Sequence, residues 1–70
     1  MIRKIFQNNF LQLKCKNHLT QREIAEKLGY PISTISNWCA GRMFPSADAI
    51  DDICDLFKIT PSELFEEIKE

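Results

Sequence analysis

Thr20-Gln21-Arg22-Glu23-Ile24-Ala25-Glu26-Lys27-Leu28-Gly29, followed by Ile32-Ser33-Thr34-Ile35-Ser36-Asn37-Trp38-Cys39-Ala40-Gly41, is the stretch that decides the fold. Thr20 and Glu23 have the spacing of a capping box: the threonine hydroxyl accepts from the backbone N–H three residues on, and the glutamate reaches back to the threonine N–H. Leu19 and Ile24 stand at the two positions of a hydrophobic staple. A helix is therefore predicted from this cap to Leu28, with Ile24, Ala25 and Leu28 inward and Gly29 as a left-handed stop. A second helix is predicted over Ile32 to Ala40, with Ile35, Trp38 and Cys39 inward and Gly41 ending it. The small Ala25 lets the second helix cross closely over the first. Ser33, Thr34 and Asn37 are left on the outward side. A helix held this way can enter a major groove about 12 Å wide, where base edges are distinguishable. The N-terminal N–H groups of the first helix can receive a phosphate.

Outward from this pair the pattern stays helical. Ile2, Phe6, Phe10 and Leu13 recur on one helical stripe, which predicts a helix from Ile2 to Lys16 broken by Asn17-His18. Ser46 reads as the N-cap of a fourth helix, with Asp48 in its first turn and Ala49, Ile50, Ile53, Cys54 and Phe57 as its apolar stripe. Thr60-Pro61-Ser62-Glu63 is a second capping box with Pro at the first helical position, flanked by the staple pair Ile59 and Leu64. The last helix is expected to run to Lys69, with Leu64, Phe65 and Ile68 inward. Nowhere does a strand-like alternation persist. The fold class expected is all-α, a compact five-helix bundle in one domain spanning residues 1–70.

Seventy residues bury only about 60% of the unfolded surface, so caps and turns must share the stabilisation with a small core. With 44% hydrophobic residues, two Gly and three Pro, the chain is neither disordered in character nor a loop-rich scaffold. No apolar run approaches the roughly 18 residues of a membrane span. Asn8, Asn9 and Gln12 break up the residues after the basic N-terminus, which excludes a signal peptide. Cys15, Cys39 and Cys54 are odd in number and widely spaced. They fit neither a disulfide framework nor a zinc site, and are expected as reduced thiols of a cytoplasmic protein.

The net charge of −1 conceals a division. Residues 1–42 carry seven basic side chains against two acids, a local +5, whereas residues 43–70 carry two against eight, a local −6. Between Lys27 and Ala47 there is no acid at all. A polyanion can approach the first part and not the second. No Ser/His/Asp set and no paired carboxylates mark an enzyme, His18 is the single histidine, and the acidic run Asp48, Asp51, Asp52, Asp55 lacks the ligand order of a calcium loop. No cofactor, metal, small-molecule ligand or membrane partner is expected.

The run Leu19 to Gly29, then Ser33-Thr34-Ile35-Ser36, Gly41-Arg42, Pro45-Ser46 and Ile59 to Phe65 resembles the lambda-repressor-like helix-turn-helix domains of the Cro/C1 type, the XRE family. The resemblance covers about five-sixths of the chain. It implies sequence-specific binding of double-stranded DNA by a transcriptional repressor or regulator of phage or mobile-element type. Ile32, Ser33 and Asn37 match positions that face base edges, and Gln21, Thr34 and Arg42 match positions that face the DNA backbone. It further implies a homodimer on a near-palindromic operator. Met43 and Phe44, an apolar pair in the loop after the recognition helix, fall near the dyad. The sequence departs from the family pattern in three places. Pro31 replaces the Ser or Thr cap of the recognition helix, Lys14 and Cys39 replace a frequent internal Arg–Glu pair, and Ile32 replaces a long polar reader. Ile32 can meet a thymine methyl but cannot hydrogen-bond a base, and its stripe with residues 35 and 39 equally suits a core position. Asn37, Gln21 and Arg42 have the alternative of simple solvated positions, and Ser33 that of touching phosphate alone. The competing function is a protein-interaction adaptor or antitoxin-like module that keeps the fold without strong DNA binding.

Overall fold

The computed structural model describes residues 2–67. Five helices succeed one another: α1 (Ile2–Lys16), α2 (Gln21–Leu28), α3 (Ile32–Ala40), α4 (Ala47–Phe57) and α5 (Pro61–Leu64). α3 packs on α2 and α1, α4 packs on α2, and the short α5 closes the bundle against α1 and α4.

The ends of these helices are set by local chemistry. At Thr20 both arms of the capping box are made, Glu23 N–H to Thr20 Oγ1 at 3.1 Å and Thr20 N–H to Glu23 Oε1 at 2.9 Å. Thr60 and Glu63 repeat it ahead of Pro61. Ser46 caps α4 through the Ala49 N–H at 3.2 Å. Gly29 and Gly41 end α2 and α3 at φ +79° and +78°, where a Cβ is disfavoured. α4 ends in the same left-handed geometry without glycine, at Lys58 (φ +57°).

The core joins Phe6 and Phe10 of α1 to Ile24, Ala25, Ile35, Trp38, Cys39, Ala49, Ile53, Cys54 and Leu64. Aromatic rings fill its centre. Phe6 and Phe10 stack at 5.4 Å, and the edge-on approach of Trp38 to Phe10, at 5.8 Å, is the favourable T-shaped geometry. Two expectations require correction. Ile2 is 57% exposed rather than inward, because the apolar stripe of α1 meets neighbouring helices only from Phe6 onward. The last helix stops at Leu64 instead of continuing to Lys69. The carbonyls of Leu64 and Glu66 turn inward to accept from the Asn9 amide, at 2.6 and 2.9 Å, so the chain leaves the helical path. Ile68 lies outside the described residues.

Asn9 is only 8% exposed, a buried polar side chain in the middle of an apolar face. Its amide is satisfied by those two carbonyls, which is what makes its burial tolerable. The Gln7 Nε2 makes a comparable link, donating to the Cys39 carbonyl at 2.9 Å and tying α1 to the C-terminal turn of α3. α1 therefore anchors both the closing turn of the chain and the exit of α3.

Candidate nucleic-acid interface

α2 and α3 cross around the Gly29 turn, with Ala25 buried at the crossing and Ile35 and Trp38 holding α3 from below. The turn is fixed from a direction the sequence reading missed. The Tyr30 hydroxyl donates to Asp52 Oδ2 of α4 at 2.8 Å, and its ring meets Trp38 edge-on at 5.5 Å. That bond, with the negative charges of Asp52 and Asp48, holds the Tyr30 phenol above its ordinary pKa. The sequence signal for it is weak: a lone tyrosine in a turn and an acid 22 residues on.

Of the residues expected to face bases, Ile32 is 48% exposed and Ser33 is exposed, so Ile32 is no core residue. It borders a shallow depression with Arg22, Glu26 and Tyr30. Asn37 is half-buried, and its amide is engaged: Oδ1 accepts from Arg42 Nε at 3.1 Å, and Nδ2 donates to Met43 Sδ at 3.3 Å. Its backbone carbonyl also accepts the N–H groups of Arg42 and Met43. Among the expected backbone-facing residues, Arg42 is exposed, while Gln21 and Thr34 are half-buried. At the N-terminus of α3, Pro31 offers no side-chain cap, and its carbonyl takes the Thr34 and Ile35 N–H groups at 3.0 and 3.4 Å.

Where the family pattern has an ion pair, Cys39 is buried in the core. Burial pushes its thiol pKa up, opposed by the nearby Lys14 charge and the Gln21 amide. Burial and the acids Asp51, Asp55 and Glu63 raise the Cys54 thiol in the same way. Cys15 is exposed. Met43 is 44% exposed, but Phe44 does not lie open beside it. The Phe44 ring packs on Phe6 at 5.7 Å and on Phe65 at 5.9 Å, so much of that side chain serves its own core. Among the described residues no cluster of His, Cys, Asp or Glu suits a metal ion, and no helix is long and apolar enough to cross a membrane.

The model for a helix-turn-helix family matches residues 11–64, a span that runs from α1 through α5. The chain belongs to the Cro/C1-type helix-turn-helix family. That family comprises DNA-binding transcriptional regulators and not enzymes. One curated relative is the HTH-type transcriptional activator BcrR of Enterococcus faecalis, 32% identical over 59 residues, covering 84% of this chain and 29% of that protein. The solution structure of the SOS-response transcriptional repressor LexA from Eubacterium rectale superposes with a TM-score of 0.91 at 32% identity, over 97% of this chain and 72% of that one. The crystal structure of a transcriptional regulator from Listeria innocua gives 0.81 at 25% identity, over 93% and 61%. The chain thus spans under a third of the activator's length. The structural match extends the likeness through α1, which the sequence resemblance mostly left out.

Proposed function

We propose that this domain binds double-stranded DNA sequence-specifically and represses transcription, in a regulator of phage or mobile-element type. The observation that carries the reading is the exposed Ile32–Ser33 edge of α3, set in a span from Leu28 to Ser46 without a single carboxylate side chain. Ile32 and Ser33 address base edges, Ile32 through a thymine methyl. Gln21, Thr34 and Arg42 address phosphates, which position the helix without selecting sequence. Asn37 stands beside this edge.

The longest dimension of the domain is 31 Å, while half-sites one helical turn apart lie about 34 Å centre to centre. Two copies can therefore occupy one face of a near-palindrome without overlap, and Met43 with the open part of Phe44 is the apolar surface offered for contact between them. Repression rather than activation is supported by the repressor-named neighbour that covers nearly the whole chain, against an activator-named relative of which this chain spans the smaller part.

Mobility shifts against duplexes from the flanks of its own gene test the reading. With on the order of six phosphate contacts per dimer, log affinity should fall against log salt with a slope near −5. A promoter–reporter carrying the bound site should be silenced when the domain is expressed. An adaptor or antitoxin-like role is favoured by a separate observation, the exposed carboxylates Asp48, Asp51, Asp52 and Asp55 along α4. A flat salt response would select that role.

A further inference from the structure

We propose that Asn37 is a positioning residue for Arg42, setting its guanidinium at the exit of α3 for contact with the duplex. The role rests on the DNA-binding reading above. Arg42 follows Gly41 in an exposed turn, where a long side chain ordinarily samples many rotamers. Here the Asn37 carboxamide takes its Nε at 3.1 Å, and the Asn37 backbone carbonyl takes its N–H at 2.9 Å. Both ends of the arginine are therefore referred to one residue of the recognition helix. With Nε committed, Nη1 and Nη2 make no hydrogen bond among the described residues and form the open edge of the guanidinium. That edge suits a phosphate or another planar acceptor, because its donors are parallel and fixed.

The Asn37 amide is itself oriented. Its Nδ2 donates to Met43 Sδ, which fixes Oδ1 toward Arg42. A bidentate contact to adenine uses the same amide oxygen and nitrogen. Each already has one of its two hydrogen-bonding positions filled, so the orientation of the amide is set by Arg42 and Met43 before any base is met. The network instead orders Arg42 before binding and removes part of the entropy loss on docking.

The test uses Asn37→Ala, Arg42→Ala and the double variant, each measured on the preferred duplex, on random duplex and free in solution. The fold survives Asn37→Ala, because the capping carbonyl belongs to the backbone and Ala is the better helix former. Asn37→Ala should weaken binding about three- to tenfold, equally on both duplexes, and should change nothing further in the Arg42→Ala background. The salt slope should stay as in the parent for Asn37→Ala, whose charge is intact, and become shallower by about one per removed contact for Arg42→Ala. In free protein, the Arg42 Nε–H resonance should be ordered in the parent and lose that order in Asn37→Ala.

Additive losses would overturn the role, and a relaxed preference at one base pair in Asn37→Ala would overturn it and make Asn37 a base reader. Equal Nε disorder in parent and variant would also overturn it. A parent that binds neither duplex overturns the DNA reading and this role together. That result differs from the others in showing no binding to lose.

Discussion

Replacing Asn9 by Ala should remove the link that closes the chain onto α1. One amide nitrogen supplies both bonds, at 2.6 and 2.9 Å, to the carbonyls of Leu64 and Glu66. Each is worth about 0.5–1.5 kcal/mol net, and leaving the buried Leu64 acceptor unpaired adds to the loss. The expected destabilisation is about 2–3 kcal/mol. A domain of this length holds roughly 4–10 kcal/mol, so the fraction at stake is large. In thermal terms this is a fall in Tm of roughly 10–20 °C. Urea titration followed by helical circular dichroism measures it directly, with an unchanged m-value expected. Asn9→Asp sharpens the reasoning, since a carboxylate would face two carbonyl acceptors and offer no proton. At neutral pH it should be worse than Ala. The opposed carbonyls and the burial raise the folded pKa of that new carboxyl. Its protonated form, which can donate, is then the one that stabilises. The deficit should shrink below the ordinary carboxylate range and grow as pH rises through the raised value. A loss under about 0.5 kcal/mol for Asn9→Ala, or an Asp variant no worse than Ala, would refute the account.

Other outcomes rest on particular contacts. Gly29→Ala and Gly41→Ala impose the same backbone strain, but a Cβ at Gly41 would stand 2.8 Å from Gln7 Oε1, whereas nothing lies within 4 Å at Gly29. Gly41→Ala should therefore destabilise by about 1 kcal/mol more in a denaturant series, since Gln7 must give up its bond to Cys39, and Gln7→Ala should abolish the difference. Spectrophotometric titration of Tyr30 should show the phenol above its ordinary range and returning toward it in Asp52→Ala. Because the folded value is raised, the associated stabilisation is present below the ordinary phenol pKa and disappears as pH rises through the folded one. Met43→Glu should weaken self-association on DNA by sedimentation while the helices persist. Phe44→Glu should lower Tm as well, because its ring packs on Phe6 and Phe65.

Helix boundaries were legible because they are written in short-range chemistry. Thr20 with Glu23, Ser46, Thr60 with Glu63, Gly29 and Gly41 act within three or four residues, and all of them cap as read. Lys58 shows the limit of that method: Ile59 N–H closes back to the Cys54 carbonyl, and the left-handed residue is simply the one the turn requires. Longer-range polar contacts were not legible. Asn9 looks like an interruption of an apolar stripe, and only the return of residues 64–66 to α1 turns it into a latch. In the same way Asn37 and Arg42 each suit solvent or DNA separately, and their mutual contact depends on how Gly41 turns the chain. Phe44 read as an exposed contact for a second copy because nothing local reveals that Phe6 and Phe65 converge on it.

The carboxylates of α4 and the cations of the first two helices meet at a seam where Lys27 of α2 faces Asp52 and Asp55 across a shallow groove. A molecule so divided feels little net pull toward a polyanion at long range but a turning force once it is near. Collisions that present α4 are rejected, and those that present α3 are retained long enough to search. The same near-neutrality limits the share of molecules idling on the vast excess of irrelevant DNA, where binding is almost wholly electrostatic. A domain can thus keep a shallow hold on most sequence without a large basic surface. Lysines introduced at Asp51 and Asp55, on α4 rather than α3, would then slow target finding by enlarging that idle fraction, even as affinity for any single duplex rose.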